Sequence, residues 1–145
     1  PEAKQQGEAL LREGYRTYVI DDAELERVNA DGTVGLAYTT DWNGKPVVTD
    51  RMHWTLAESL NTSATLYAAT GEEMYANWYA TFAQYVDEHV IDHESGSWFH
   101  QLDKNNHVIG TVWPGKSDLY HAFQSTLIPF LDPAVSIATA VKNAA

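Results

Sequence analysis

The sequence predicts a mainly helical chain in which short β-hairpins connect antiparallel helices. Apolar residues recur at helical spacing in several segments, and Asn-containing turns between short alternating segments indicate hairpins. The order hairpin, helix, helix then recurs after about 60 residues. A unit of this kind cannot bury its apolar face alone, so neighbouring units must stack or close into a ring.

Composition limits the classes of partner. The 145 residues are enough for one domain with an apolar core. Lys and Arg number 9 against 20 Asp and Glu, a net charge of −11, which argues against binding to nucleic acid or anionic membranes. Without cysteine there is no disulfide, thiolate nucleophile or Cys-ligated metal. The apolar runs are too short to cross a bilayer and no signal peptide pattern is present, so we expect a soluble, cytoplasmic protein.

The N-terminal third is predicted to contain one helix and one hairpin. Residues 3–19 read as an amphipathic helix, which its two glycines weaken, and residues 21–33 as a polar, acidic loop. Residues 35–49 alternate around Asn43-Gly44, the two-residue signal for a tight β-hairpin.

Two helices follow without an intervening hairpin. Arg51 to Ala69 is strongly helical and ends at Thr70-Gly71. The next helix follows at once, with Glu72 and Glu73 in its first turn, where the helix dipole favours acidic side chains, and it ends near Ile91. Their short connection predicts an antiparallel αα-hairpin.

The rest of the chain repeats this outline. GSWFHQLDKNNHVIGTVW resembles the first hairpin segment and leads into a helix over Ser117 to Ile128, which Pro129 ends. Asp132 and Pro133 then read as the N-cap and first-turn proline of a last helix over 134–144.

Histidines and carboxylates are the candidates for chemistry. His89 and His93, in the run DEHVIDHE, share a helix face but lack the Glu of a zinc protease motif, so a solvated acidic helix end is favoured over a metal site. His53 and Glu58 lie at one helix end, about 140° apart around the axis. His53 is equally compatible with simple packing beside Trp54. Glu58 has small or apolar neighbours, which indicates a paired or functional carboxylate.

His121 lies in GKSDLYHAFQSTLIP. With Ser117 as N-cap, it falls within about one turn of the positive end of the helix, where the dipole disfavours imidazolium. Neutral imidazole is the form that a general base needs. The alternative is a core histidine hydrogen-bonded to the backbone. The 5 Trp and 8 Tyr residues are similarly open to two readings, helix packing or a carbohydrate cleft.

Three segments, RMHWTLAESL, GSWFHQLD and TVWPGKSDLYHAFQSTLIP, occur in an order and spacing that resemble the C-terminal part of the N-acylglucosamine 2-epimerase superfamily, most closely its mannose isomerase (aldose-ketose isomerase) branch. The similarity covers nearly all residues. It implies an (α/α)6 barrel, a ring of six helical hairpins, of which residues 1–145 are a single C-terminal region. Since the sequence starts at Pro1 rather than Met, we expect a piece of a longer protein.

The resemblance also implies site residues and a reaction. His121 matches the family's catalytic histidine and Glu58 an active-site carboxylate, while the expected sugar-binding side chains are His53, Trp54, Trp113 and Arg51. The implied reaction is isomerisation between an aldose and a ketose, of the D-mannose/D-fructose type, through a cis-enediol, with no metal or other cofactor. The family's second catalytic histidine, in a His-x-x-Glu motif, does not occur upstream of His53, so we expect little activity from the isolated chain.

Two alternatives remain open from the sequence: 2-epimerisation of an N-acyl or unsubstituted sugar, and a non-catalytic carbohydrate-binding module. A glycoside hydrolase is disfavoured because it needs two placed carboxylates and only Glu58 is a credible one. The expected partners are a monosaccharide and either the N-terminal half of the same barrel or further copies of the chain.

Overall fold

A computed structural model describes residues 36–42, 46–134 and 136–145. The predicted helix over 3–19, the acidic segment 21–33 and the Asn43-Gly44 turn lie outside these residues. The two strands of the first predicted hairpin are present: β1, Thr39–Thr40, pairs antiparallel with β2, Pro46–Val48.

The central feature is the predicted αα-hairpin. Helix α1, His53–Thr70, begins two residues later than predicted because Arg51–Met52 form strand β3. It ends at Gly71, whose φ of 70° is the left-handed conformation that glycine adopts readily and whose amide bonds to a carbonyl of the last turn. Helix α2, Glu73–Tyr85, continues as a π-helical turn, Val86–Val90, and ends at the predicted point. The two helices pack against each other.

A small antiparallel sheet ties the start of α1 to the second predicted hairpin. Strand β4, Gln101–Leu102, lies between β3 and β5, Val108–Ile109. The amide of His53 donates to the carbonyl of His100 over 3.2 Å, just before β4. The first residue of α1 is therefore fixed beside the loop that precedes this hairpin.

The third predicted helix starts with a different cap. Helix α3, Leu119–Leu127, followed by a 3-10 turn, Ile128–Phe130, has Asp118 as its N-cap rather than Ser117. The Asp118 carboxylate accepts the amide of His121 over 2.9 Å, whereas the amide of Ser117 bonds to the Trp98 carbonyl. His121 is therefore the third residue of the helix, one position nearer its N-terminus than predicted.

The last helix also starts later than predicted. Helix α4, Ile137–Ala144, is capped by Ser136, whose hydroxyl accepts the amide of Thr139 over 3.1 Å. Asp132 is therefore not its N-cap. The capping hydroxyl next to the helical segment satisfies an amide that Asp132, four residues earlier, does not reach.

The apolar core lies between α1, α2 and the β4 hairpin. Its buried members come from all three, namely Leu56, Ala57, Leu60, Phe82, Tyr85, Val86, Val90, Trp98 and Leu102. Large apolar side chains of α3 and its 3-10 turn remain exposed instead, among them Leu119 and Phe130. None of the described helices has both the length and the apolar character needed to cross a membrane.

Candidate active site

A carboxylate–histidine pair joins α1 and α3. The Nδ1 atom of His121 lies 2.9 Å from Oε1 of Glu58, so the neutral imidazole donates its Nδ1 proton to the carboxylate. The Nε2 atom then carries a lone pair, and no group within the described ranges hydrogen-bonds to it. The His121 side chain is 26% exposed, so part of it reaches the surface. An oriented lone pair of this kind is what a general base requires.

Asp118 connects this pair to a second histidine. One carboxylate oxygen, Oδ1, accepts the amide of His121, and the other, Oδ2, lies 2.9 Å from Nε2 of His53. Burial alone would raise the pKa of Asp118, but the His121 amide and the His53 ring hold it below its usual value. The ionised N-cap thus fixes the helix end that carries His121 and the ring of His53 at once.

His53 is fully buried, and both of its ring nitrogens face acceptors. Nδ1 lies 3.3 Å from the carbonyl of His100, and Nε2 faces the Asp118 carboxylate. Burial lowers the pKa of His53, against the opposing effect of Asp118. A neutral imidazole has only one N–H, so it satisfies one of these acceptors at a time.

Aromatic rings surround the two histidines. The indole of Trp54 lies 6.1 Å from the His121 ring, and the ring of Tyr120 packs edge-on at 4.8 Å. The His100 ring contacts His53 at 4.4 Å and stacks on the exposed indole of Trp113 at 5.8 Å. Flat apolar faces beside polar groups are typical of surfaces that bind sugars and other amphipathic ligands.

The structure brings together most of the residues that the sequence indicated. Glu58, His53 and Trp54 all contact His121, and Trp113 joins them through His100. Arg51 lies apart: its side chain is buried, donates to the carbonyl of Thr49 and interacts with the hydroxyl of Tyr85. Its role in sugar binding stays a prediction.

Sequence reasoning missed two members of the cluster, Asp118 and His100. Asp118 had a usable signal, since an aspartate three residues before His121 fits an N-cap that accepts its amide. His100 had none, because only the pairing of β3 with β4 places it over His53.

The histidines of the acidic run stand apart from this cluster. His93 donates to the carbonyl of Asp87 over 2.8 Å, and both side chains are largely exposed. His89 lies 3.8 Å from the exposed carboxylate of Glu88. This arrangement is the solvated acidic helix end that the sequence predicts.

Comparison with known proteins identifies the family. The family model described as N-acylglucosamine 2-epimerase (GlcNAc 2-epimerase) matches residues 5–125. D-mannose isomerase of Pseudomonas cannabina pv. alisalensis is 44% identical over 94% of the chain, and that of Thermobifida fusca is 42% identical over 79%. The chain spans 35% and 28% of the lengths of these two relatives.

Solved structures agree on the architecture. A crystal structure of D-mannose isomerase matches 65% of the chain with a TM-score of 0.59 and 32% identity, over 24% of its own length. Cellobiose 2-epimerase from Spirochaeta thermophila matches 74% with a TM-score of 0.54 and 21% identity, over 27% of its length. Both are (α/α)6 barrels. The chain therefore belongs to the N-acylglucosamine 2-epimerase family, and its helical hairpins are part of an (α/α)6 barrel.

Proposed function

We propose that residues 1–145 are the C-terminal region of a sugar isomerase that interconverts an aldose and a ketose, of the D-mannose/D-fructose type. The observation that carries the proposal is the Glu58–His121 pair, which directs Nδ1 of His121 to the carboxylate beside aromatic rings and leaves Nε2 as the candidate base. The D-mannose isomerases among the relatives support this substrate class.

His121 acts as the proton shuttle. Its Nε2 removes the proton from C2 of the ring-opened aldose, which leaves a cis-enediolate, and the resulting imidazolium returns the proton to C1. The hydroxyl proton at C2 moves to the oxygen at C1, so the ketose is an isomer of the aldose and no oxidant or reductant is consumed. This reaction needs neither a metal nor another cofactor.

Glu58 has two effects on this shuttle. In the neutral ring it accepts the Nδ1 proton, which places the lone pair on Nε2, and its negative charge stabilises the imidazolium that forms after proton removal. Positioned proton transfer of this kind typically contributes about 10²- to 10⁴-fold in rate.

The surrounding side chains provide one wall of a sugar site. Trp54 and Trp113 offer indole faces for stacking on the sugar. His53 supports the site through its hydrogen bond to Asp118. Arg51 is proposed to bind substrate by the resemblance alone, since its side chain is 1% exposed. The second proton-transferring group of the family does not occur among these residues, so turnover by the isolated chain should be very low.

Exposed apolar side chains on α3 support a proposal about what packs there. Leu119, Tyr120, Phe123 and Phe130 are 80, 62, 55 and 85% exposed along α3 and its 3-10 turn. Several large exposed apolar side chains on one short segment are typical of an interaction surface. We propose that the N-terminal part of the same barrel covers it, a second copy of the chain being the alternative.

A chimera tests the function directly. The segment of the Pseudomonas D-mannose isomerase that aligns with this chain is replaced by the chain itself, and conversion of D-mannose is followed in D₂O. We expect D-fructose carrying deuterium at C1. His121→Asn in the chimera should reduce the rate by at least about 10²-fold, while His107→Asn, which changes an exposed histidine paired with Asp103, should leave it unchanged.

The products separate the alternatives. Exchange at C2 with return of the aldose, now as the 2-epimer, would indicate an epimerase, and sugar binding by calorimetry without any exchange would indicate a binding module. Full activity of a folded His121→Asn chimera would refute the proposed role of His121.

A further inference from the structure

One grouping of side chains in the described residues has the composition of a transition-metal site. Donor atoms of His53, His100 and Asp118 all lie within 4.8 Å of one another. They come from three separate segments: the first residue of α1, the loop before β4 and the N-cap of α3. Two imidazoles and one carboxylate are a common ligand set for Zn²⁺ with an open fourth position.

The hydrogen bonds of His53 and Asp118 leave one acceptor without a proton. Two acceptors surround His53, the His100 carbonyl at Nδ1 and the Asp118 carboxylate at Nε2, and the neutral ring has one proton for both. When that proton lies on Nδ1, the Nε2 lone pair faces the Oδ2 atom of Asp118 at 2.9 Å with nothing between them. A cation bound to Nε2 and Oδ2 satisfies both atoms, and the Nδ1 proton then satisfies the carbonyl.

Two of the ligands are also oriented by hydrogen bonds to their other polar atoms, as metal ligands usually are. Donation from Nδ1 of His53 to a backbone carbonyl directs Nε2 towards the metal position, and the His121 amide holds the Asp118 carboxylate through Oδ1. His100 stacks on the exposed Trp113 indole, so its ring is able to adjust.

Metal binding requires small shifts of these donor atoms. Bond lengths of about 2.0–2.2 Å place two donors of a tetrahedral Zn²⁺ about 3.4 Å apart. The His53–Asp118 pair must therefore open by about half an ångström, and His100 must approach. Because the Asp118 side chain is 44% exposed, water is available as the fourth ligand.

We propose that His53, His100 and Asp118 form a binding site for a divalent transition-metal ion of the Zn²⁺ type. The site goes beyond the proposed isomerase function: the cation takes no part in the proton transfer at His121, and its binding does not depend on any sugar.

The test is titration of the untagged, metal-free chain with ZnCl₂ by calorimetry, with Co²⁺ as a spectroscopic probe. We expect saturable binding of one Zn²⁺ per chain and a visible Co²⁺ absorption that Zn²⁺ displaces. His100→Ala and Asp118→Asn should each weaken binding at least tenfold. His93→Asn is the matched control, because it disrupts an exposed histidine–aspartate pair outside the cluster, and it should change the affinity less than twofold.

The proposal would be overturned by an absence of saturable Zn²⁺ binding to the folded chain, or by binding that His100→Ala and Asp118→Asn leave unchanged. A loss of affinity in His93→Asn equal to that in His100→Ala would also overturn it, since it would place the metal at the exposed histidines. His100 and Asp118 are used because His53 is fully buried and its replacement threatens folding.

Discussion

The tautomer of His121 is the property on which the proposed chemistry depends. The Glu58 carboxylate lies 2.9 Å from Nδ1, and hydrogen bonds to charged groups contribute about 1.5–3 kcal/mol. Because the Glu58 side chain is 45% exposed, solvent screening favours the lower end of this range. A preference of about 1.5 kcal/mol is roughly a twelvefold ratio, so about nine-tenths of neutral His121 should carry its proton on Nδ1.

Long-range ¹H–¹⁵N correlation spectra of the six histidine rings measure this preference directly. We expect the wild-type chain to show the Nδ1–H form of His121, and Glu58→Leu to shift the ring towards the mixture of a free imidazole. Glu58→Gln should give an intermediate result, since its amide oxygen still accepts the proton but without charge. Glu88→Leu is the control, because it removes a carboxylate of similar exposure next to another histidine.

A wild-type His121 that carries its proton mainly on Nε2 would refute the proposed base, because that nitrogen could not then accept a proton from a sugar. The proposed role of Glu58 fails equally if Glu58→Leu leaves the ring unchanged, since another group would then be holding it.

Three further predictions concern stability and titration. Leu56→Ala, at a core residue that is 1% exposed, should lower the free energy of unfolding by about 2–5 kcal/mol in urea titrations, whereas Leu119→Ala, on the exposed face, should change it by less than about 0.5 kcal/mol. Hydrogen bonding by Lys116 lowers the pKa of Asp92 to about 2 in the folded chain, so its contribution should be present above pH 3.8 and be lost as the pH falls towards 2. Lys116→Met should lower the melting temperature at pH 6 and make little difference at pH 2; an equal decrease at both would contradict the pairing. Burial raises the pKa of Tyr85 to about 12. The stability that depends on the neutral Tyr85 phenol should therefore be present below pH 10 and be lost as the pH rises from 10 to 12. Tyr85→Phe should reduce this loss of stability at alkaline pH. An unchanged alkaline unfolding profile would show that another group causes the loss.

Local signals in the sequence are sufficient to predict the helices but not the residues at which they begin. The αα-hairpin and the end of its second arm near Ile91, after the π-helical turn, are predicted because apolar periodicity and Gly71 are local properties. The start of α1 was placed two residues early because Arg51–Met52 pair with β4, a contact between residues about 50 positions apart that periodicity does not report. The caps were misplaced because Ser117 and Asp118 are both good N-caps, as are Asp132 and Ser136, and only backbone geometry selects between them.

In the candidate site, too, the sequence indicates the individual residues and the packing decides their contacts. Glu58 and His121 were predicted individually, from an unusual carboxylate in apolar surroundings, a histidine near a helix N-terminus and the family resemblance. Their contact, across 63 positions, comes only from the packing of α1 against α3.

The sequence by itself therefore determined the family, the helical class and the side chains able to carry charge and protons, because these depend on residue identity and local spacing. Tertiary structure alone decided which nitrogen of His121 faces Glu58, that Asp118 bridges two histidines, and that His100 joins His53 in the proposed metal site. The physical reason is that a proton's position and a ligand set depend on distances of about 3 Å between residues far apart in the chain, and only the packed fold determines those distances.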